Sequence, residues 1–125
     1  MNHTLLQVAI GGAVGASLRY LTGRLAVHVM GHGFPWGTLA VNIIGSFAMG
    51  VLVVVLAHKD ATRLAPFLMT GILGGFTTFS AFSLDAITLY ERGQVAMAAA
   101  YAAASVLLAL AAMVAGLAAA RWMMT

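Results

Sequence analysis

Charge is almost absent from this chain over stretches long enough to cross a bilayer, and that one property leaves it few ways to fold. Apolar runs cover about residues 4–29, 36–57, 64–90 and 94–122, parted only by GHGFP, HKDATR and ERG. In hydrocarbon a backbone must satisfy its own hydrogen bonds, so runs of about 20 apolar residues become helices. With 125 residues, 7% of them charged, and a mean hydropathy of +1.01, the sequence predicts one all-α membrane domain over residues 1–125, with four transmembrane helices and no soluble domain. Gly31, Gly33 and Pro35 close the first run and open the second, and Glu91, Arg92 and Gly93 make a tight third connection.

Net charge is +3, with a pI near 10.0, but Arg19, Arg24, Lys59, Arg63, Arg92 and Arg121 are scattered and form no nucleic-acid stripe. Cysteine is absent, which removes disulfide, zinc-thiolate and iron–sulfur chemistry. The N-terminal MNHTLLQVAI lacks a basic leader and a small-residue cleavage site, so it reads as a retained first helix.

Four spans place the N-terminus, second connection and C-terminus on one side. That side carries Lys59, Arg63 and Arg121, and the other carries Arg24 and Arg92, with Arg19 near it. The positive-inside rule has almost nothing to act on, which predicts dual topology and an antiparallel dimer with its two-fold axis in the membrane plane. A fixed orientation set by other features is the alternative. Small residues recur at packing spacing, Gly11 with Gly15, Ser46 with Gly50 and Gly71 with Gly75, as suits a tight bundle with short interhelical distances.

Polar groups inside the spans must find partners or line a wet path. Thr38, Asn42 and Ser46 share one face of the second run, either to solvate an anion or to bind helices together. In GILGGFTTFSAFSLD, Gly74 and Gly75 followed by Thr77 and Thr78 predict a break that frees carbonyls at membrane depth, where a cation commonly takes them up; an intact packing helix is the other reading. Phe76, Phe79 and Phe82 make an aromatic stripe beside Thr77, Ser80 and Ser83, serving either the core or an anion met by positive ring edges. Tyr101 and Ser105 lie one turn apart in the fourth run, and Ala109 ends that rail. Arg19 either draws anions or snorkels, and Asp85 either pairs with an arginine or is interfacial. His28 and His32 have metal-pair spacing, but the glycines around His32 dissolve the helix. No nucleophile triad, carboxylate pair or phosphate loop is present, so no enzyme is expected.

GGAVGASLRY around Arg19, PWGTLAVNIIGSF around Asn42, GILGGFTTFSAFS and a fourth run with Tyr101 and Ser105 together resemble, nearly end to end, the Fluc (CrcB) family of prokaryotic fluoride channels. The resemblance implies a fluoride-selective passive channel in the inner (plasma) membrane, multi-pass, which lowers cytoplasmic fluoride. It implies an antiparallel dual-topology homodimer, with membrane lipid around it and a structural sodium ion at its centre. By motif position, Gly74 and Thr77 would supply sodium carbonyls, Phe79 and Phe82 pore rings, and Asn42 an amide donor. Ser80, Ser83, Tyr101 and Ser105 would be polar neighbours of the pathway, and Arg19 would lie near an aqueous vestibule. The chain departs from the family pattern at Ala81, Ala109 and Asp85, where Thr, a polar residue and Glu are common, which bears on the length of the hydroxyl rail. A small dual-topology drug exporter would need a carboxylate in the first helix, and no acidic residue precedes Asp60. A non-transporting assembly subunit is the remaining alternative.

Overall fold

The computed structural model describes residues 2–125. Its elements are α1 (Asn2–Met30), α2 (Trp36–His58), a 3-10 turn (Thr62–Leu64), a π-helix (Pro66–Leu73), α3 (Gly74–Phe76), α4 (Phe79–Glu91) and α5 (Val95–Met124). The stretches Trp36–His58, Thr62–Glu91 and Val95–Met124 are long and apolar enough to cross a membrane. Helix α1 does not meet that measure of apolarity, because Gln7, Arg19 and Arg24 dilute it, yet its 29 residues extend about 44 Å. It runs along the third span with backbone nearly touching backbone, and so crosses with it. The chain is thus an all-helical membrane protein of four helices with a break in the third.

Glycine makes that contact possible. A Cβ at Gly11 would lie 2.9 Å from the Gly71 Cα, one at Gly75 would lie 2.7 Å from the Gly12 carbonyl oxygen, and one at Gly15 would collide with the Ile72 carbonyl. The second seam joins α2 to α5, where a Cβ at Gly50 would stand 2.9 Å from the Leu117 nitrogen and one at Gly116 would collide with the Phe47 carbonyl. Lipid tails are as apolar as leucine, so close van der Waals packing replaces the hydrophobic effect in holding these helices together.

The connections follow from backbone chemistry. Gly93 takes φ +81°, and the Gln94 N–H returns 3.0 Å to the Leu89 carbonyl, closing α4 with a Schellman turn. Asp60, at φ +52°, plays the same part after α2, where the Ala61 N–H reaches the Leu56 carbonyl at 2.7 Å. Trp36 at one end and Trp122 at the other mark the two interfacial zones where indole rings anchor spans.

The third span changes character twice. Its first half is a π-helix, a form often found at functional sites, and packs on α1. After Phe76 the chain leaves helical geometry: Thr77 has ψ 158° and Thr78 has φ −155° and ψ 124°, before α4 begins at Phe79 and packs on α5. The break interrupts the stripes expected of one continuous helix. Phe76 falls on the α1 side and only Phe79 and Phe82, 5.4 Å apart, remain a ring pair, while Thr77 is likewise separated from Ser80 and Ser83.

Gly15→Leu should lower stability by about 3 kcal/mol or more through overpacking, read as a fall in the thermal midpoint of helical circular dichroism. Gly12→Ala, whose Cβ would meet nothing within 4 Å, should leave the midpoint unchanged or raise it slightly.

Candidate functional site

The break is held open by one side chain. Asn42 on α2 faces Thr78 and bonds it twice: Nδ2 donates to the Thr78 carbonyl at 3.0 Å, and Oδ1 accepts the Thr78 N–H at 2.8 Å. The carboxamide thereby acts as a short piece of β-ladder against an extended residue. One N–H of Asn42 remains for another acceptor. Thr78 also caps α4, its Oγ1 accepting the Ala81 N–H at 3.1 Å.

These bonds decide which carbonyls are released. In an unbroken helix the Thr78 N–H would bond the Gly74 carbonyl and the Ala81 N–H that of Thr77. Both donors are diverted, to Asn42 and to the Thr78 hydroxyl, so the carbonyls of Gly74 and Thr77 lose their helical partners. The Gly75 carbonyl has a substitute, since Arg19 Nε donates to it at 3.0 Å. The Leu73 carbonyl receives both the N–H and the hydroxyl of Thr77, at 3.0 and 2.9 Å. The Phe76 carbonyl likewise loses the Ser80 N–H, so the break leaves Gly74, Phe76 and Thr77 without their helical donors.

Beside the break lies a groove of about 290 Å³, walled by Asn42 and Ser46 of α2, Thr77 and Thr78, Phe79 and Phe82 of α4, and Ser105 of α5. The Ser105 hydroxyl is buried, the residue being 6% exposed, and has no hydrogen-bond partner. Elsewhere Ser17, Thr22, Thr77 and Ser83 each bond the carbonyl four residues back, the usual resting place of a hydroxyl in a membrane helix. Ser105 differs from them in lacking such a bond, and the residue borders the groove. Val106, Ala109 and Leu110 finish the groove in apolar surface, so the hydroxyl rail stops at Ser105.

The remaining expected site residues lie elsewhere. Tyr101 is fully buried behind Phe82, ring centroids 5.3 Å apart, and its hydroxyl donates to Asp85 Oδ2 at 3.2 Å. Asp85 therefore has a phenol as partner. Phe34, from the first connection, meets the other side of Tyr101 edge-on at 5.3 Å, a contact that nothing in the local sequence signals. Ser80 is exposed, with its hydroxyl 3.2 Å from that of Thr78, and Ser83 is spent on the Phe79 carbonyl at 3.0 Å. Arg19 lines a second, larger cleft of about 550 Å³, which Thr78 also borders. Thr78 is thus a wall common to the groove and the cleft.

Residues 6–117 match the model of the family described as CrcB-like protein, Camphor Resistance (CrcB). A protein named fluoride-specific ion channel FluC from Cereibacter sphaeroides is 66% identical, over 98% of this chain and 99% of its own length. Proteins of the same name from Paracoccus denitrificans and a Ruegeria species are 58% and 56% identical, the first over 94% of both chains and the second over 98% of both.

Asn42→Ala should cost about 1–3 kcal/mol in thermal unfolding, since the Thr78 N–H and carbonyl both lose a partner at membrane depth. Ser83→Ala, which removes only a bond within its own helix, should stay within about 0.5 kcal/mol of the parent.

Proposed function

The chain belongs to the CrcB-like family, and on that premise we propose that it is a fluoride-selective passive channel that lets fluoride leave the cell and so lowers its cytoplasmic level. It is an ion channel and not an enzyme. The observation that carries the reading is the groove beside the broken helix. Fluoride is small and tightly hydrated, so a selective path must replace its water with several donors in a narrow space. The free N–H of Asn42 and the unpartnered hydroxyl of Ser105 supply donors, and the positive edges of Phe79 and Phe82 add weak attraction. Among the described residues no lysine or arginine lines the groove, so an ion held there can also leave.

The other residues support that path. Tyr101, fixed by Asp85, backs the Phe82 ring. Arg19 brings positive charge to the adjoining cleft, and Ser80 and Ser83 continue the polar surface along α4. Passive conduction fits better than proton-coupled exchange, because no acidic residue lies in the first two spans and Asp85, in the third, is engaged with Tyr101.

The working unit is an antiparallel, dual-topology homodimer in the prokaryotic inner membrane. Support comes from the balanced basic residues on the two sides and from surface that one protomer leaves open. Phe79 is 76% exposed beside the break, and Gly74 has room its own protomer does not use: the nearest atom to an added Cβ is the Met69 carbonyl oxygen at 3.6 Å. A side chain at position 74 would thus meet no clash within its own protomer, which leaves that face open to a second copy. The freed carbonyls of Gly74 and Thr77 suit a sodium ion, which takes neutral oxygen ligands from unwound backbone in the membrane. Such an ion would offset carbonyl dipoles from both copies and tie them together.

In liposomes carrying the purified protein, a fluoride electrode should record rapid fluoride release with no chloride release; release of neither ion by folded dimer would remove the channel reading. Phe79→Ile and Ser105→Ala should each cut fluoride flux at least about tenfold while the dimer persists, the size expected when one interaction with a desolvated ion is lost. Gly74→Leu should leave the protomer helical yet abolish the cross-linked dimer band, whereas a normal dimer from that variant would contradict the sodium and interface assignments together.

A further inference from the structure

The cleft that holds Arg19 is about 550 Å³, close to twice the volume of the groove. A water molecule occupies about 30 Å³ of liquid, so the cleft is far too roomy to strip and hold one monatomic ion. Its chemistry is also different. Arg19, Arg24 and His28 line it from α1, with Tyr20, Thr38 and Thr78 around them, and among the described residues none that lines it is acidic. Both guanidinium groups are held by neutral partners. Arg19 gives only Nε to the Gly75 carbonyl, leaving both Nη groups. Arg24 sits 6.0 Å from the Tyr20 ring centroid and gives Nη1 to the Tyr20 hydroxyl at 3.4 Å, leaving further donors. Asp85, the acidic residue of α4 nearest the break in sequence, is engaged with Tyr101.

Planar guanidinium forks match the spacing of oxygens in an oxyanion, whereas a single halide uses one fork edge at a time. We propose that this cleft binds a tetrahedral oxyanion of the phosphate class through Arg19, Arg24 and His28, and that its occupancy slows passage of fluoride. The second half rests on the channel reading: Thr78 borders both cleft and groove, so an anion in the cleft stands beside the fluoride path and repels a second anion entering it. The phosphate group has two sources, the free ion and the headgroup of an anionic phospholipid, because the C-terminal half of α1 nears the membrane surface at His28.

Binding is measured first, without transport, by calorimetric titration of inorganic phosphate into the intact protein in a phosphate-free maltoside detergent. Saturable binding is expected, weakened about tenfold or more by Arg24→Gln and unchanged by Arg121→Gln at the opposite end of the bundle. Loss of the calorimetric signal on adding a short-chain phosphatidylglycerol would assign the site to lipid headgroups, and an undiminished signal would assign it to the free ion. No saturable binding, or equal binding by parent and Arg24→Gln, overturns the proposal. Fluoride efflux from liposomes of neutral lipid is then followed with and without phosphate. Inhibition in the parent that Arg24→Gln relieves supports the coupling, and binding without inhibition overturns it. A protein that binds phosphate but releases no fluoride at all would sink the channel reading and leave the oxyanion site standing.

Discussion

The break in the third span hangs on the pair of hydrogen bonds between the Asn42 carboxamide and the backbone of Thr78. An extended residue in hydrocarbon is costly where a backbone group has neither helix nor water to meet it, and the Thr78 N–H is such a group, its carbonyl standing at the N-cap of α4. Asn42 accepts that N–H, adds a bond to the Thr78 carbonyl and still keeps an N–H in reserve. With Thr78 held extended, the Gly74 and Thr77 carbonyls come free and α4 starts from a hydroxyl cap. The α4 start sets Phe79 and Phe82 beside Asn42 instead of a turn away on a continuous helix.

The break also resolves a packing problem. The first half of the third span is bound to α1 through backbone contact at Gly11, Gly15, Gly71 and Gly75, which admits no side chain between them. A straight helix in that position would have to stay on α1. By turning extended for two residues the chain changes neighbours, so that α4 reaches α5 and the aromatic series from Phe79 through Phe82 and Tyr101 to Phe34 can form. Arg19 takes part in the same junction, because it serves the Gly75 carbonyl that the break strips of its partner.

The sequence disclosed what depends on composition and near-neighbour spacing. Four spans, the small-residue seams and a break at Gly74–Thr78 were all legible, since hydropathy, glycine and β-branching act locally. Long-range partners were not. The Asn42–Thr78 clamp joins residues 36 apart, and Tyr101 and Asp85 are separated by 16, so neither spacing announces the contact. Periodicity misled where the break mattered, because a stripe through Phe76, Phe79 and Phe82 assumes a helix that stops between the first two. Tyr101 and Ser105 share a helix face by number, yet one is bound to Asp85 and the other borders the groove, a distinction that spacing along α5 does not carry.

The measurement that goes most directly to this account is isotope-edited infrared spectroscopy of the protein with a single 13C=18O carbonyl at Gly74, at Thr77 or, for comparison, at Leu73. The labelled bands of Gly74 and Thr77 should stand apart from that of Leu73, which keeps its helical partner, and should shift when sodium in the medium is replaced by a larger cation. Bands at all three positions that coincide and ignore the cation would mean that the third span is an ordinary helix, and that the clamp frees nothing.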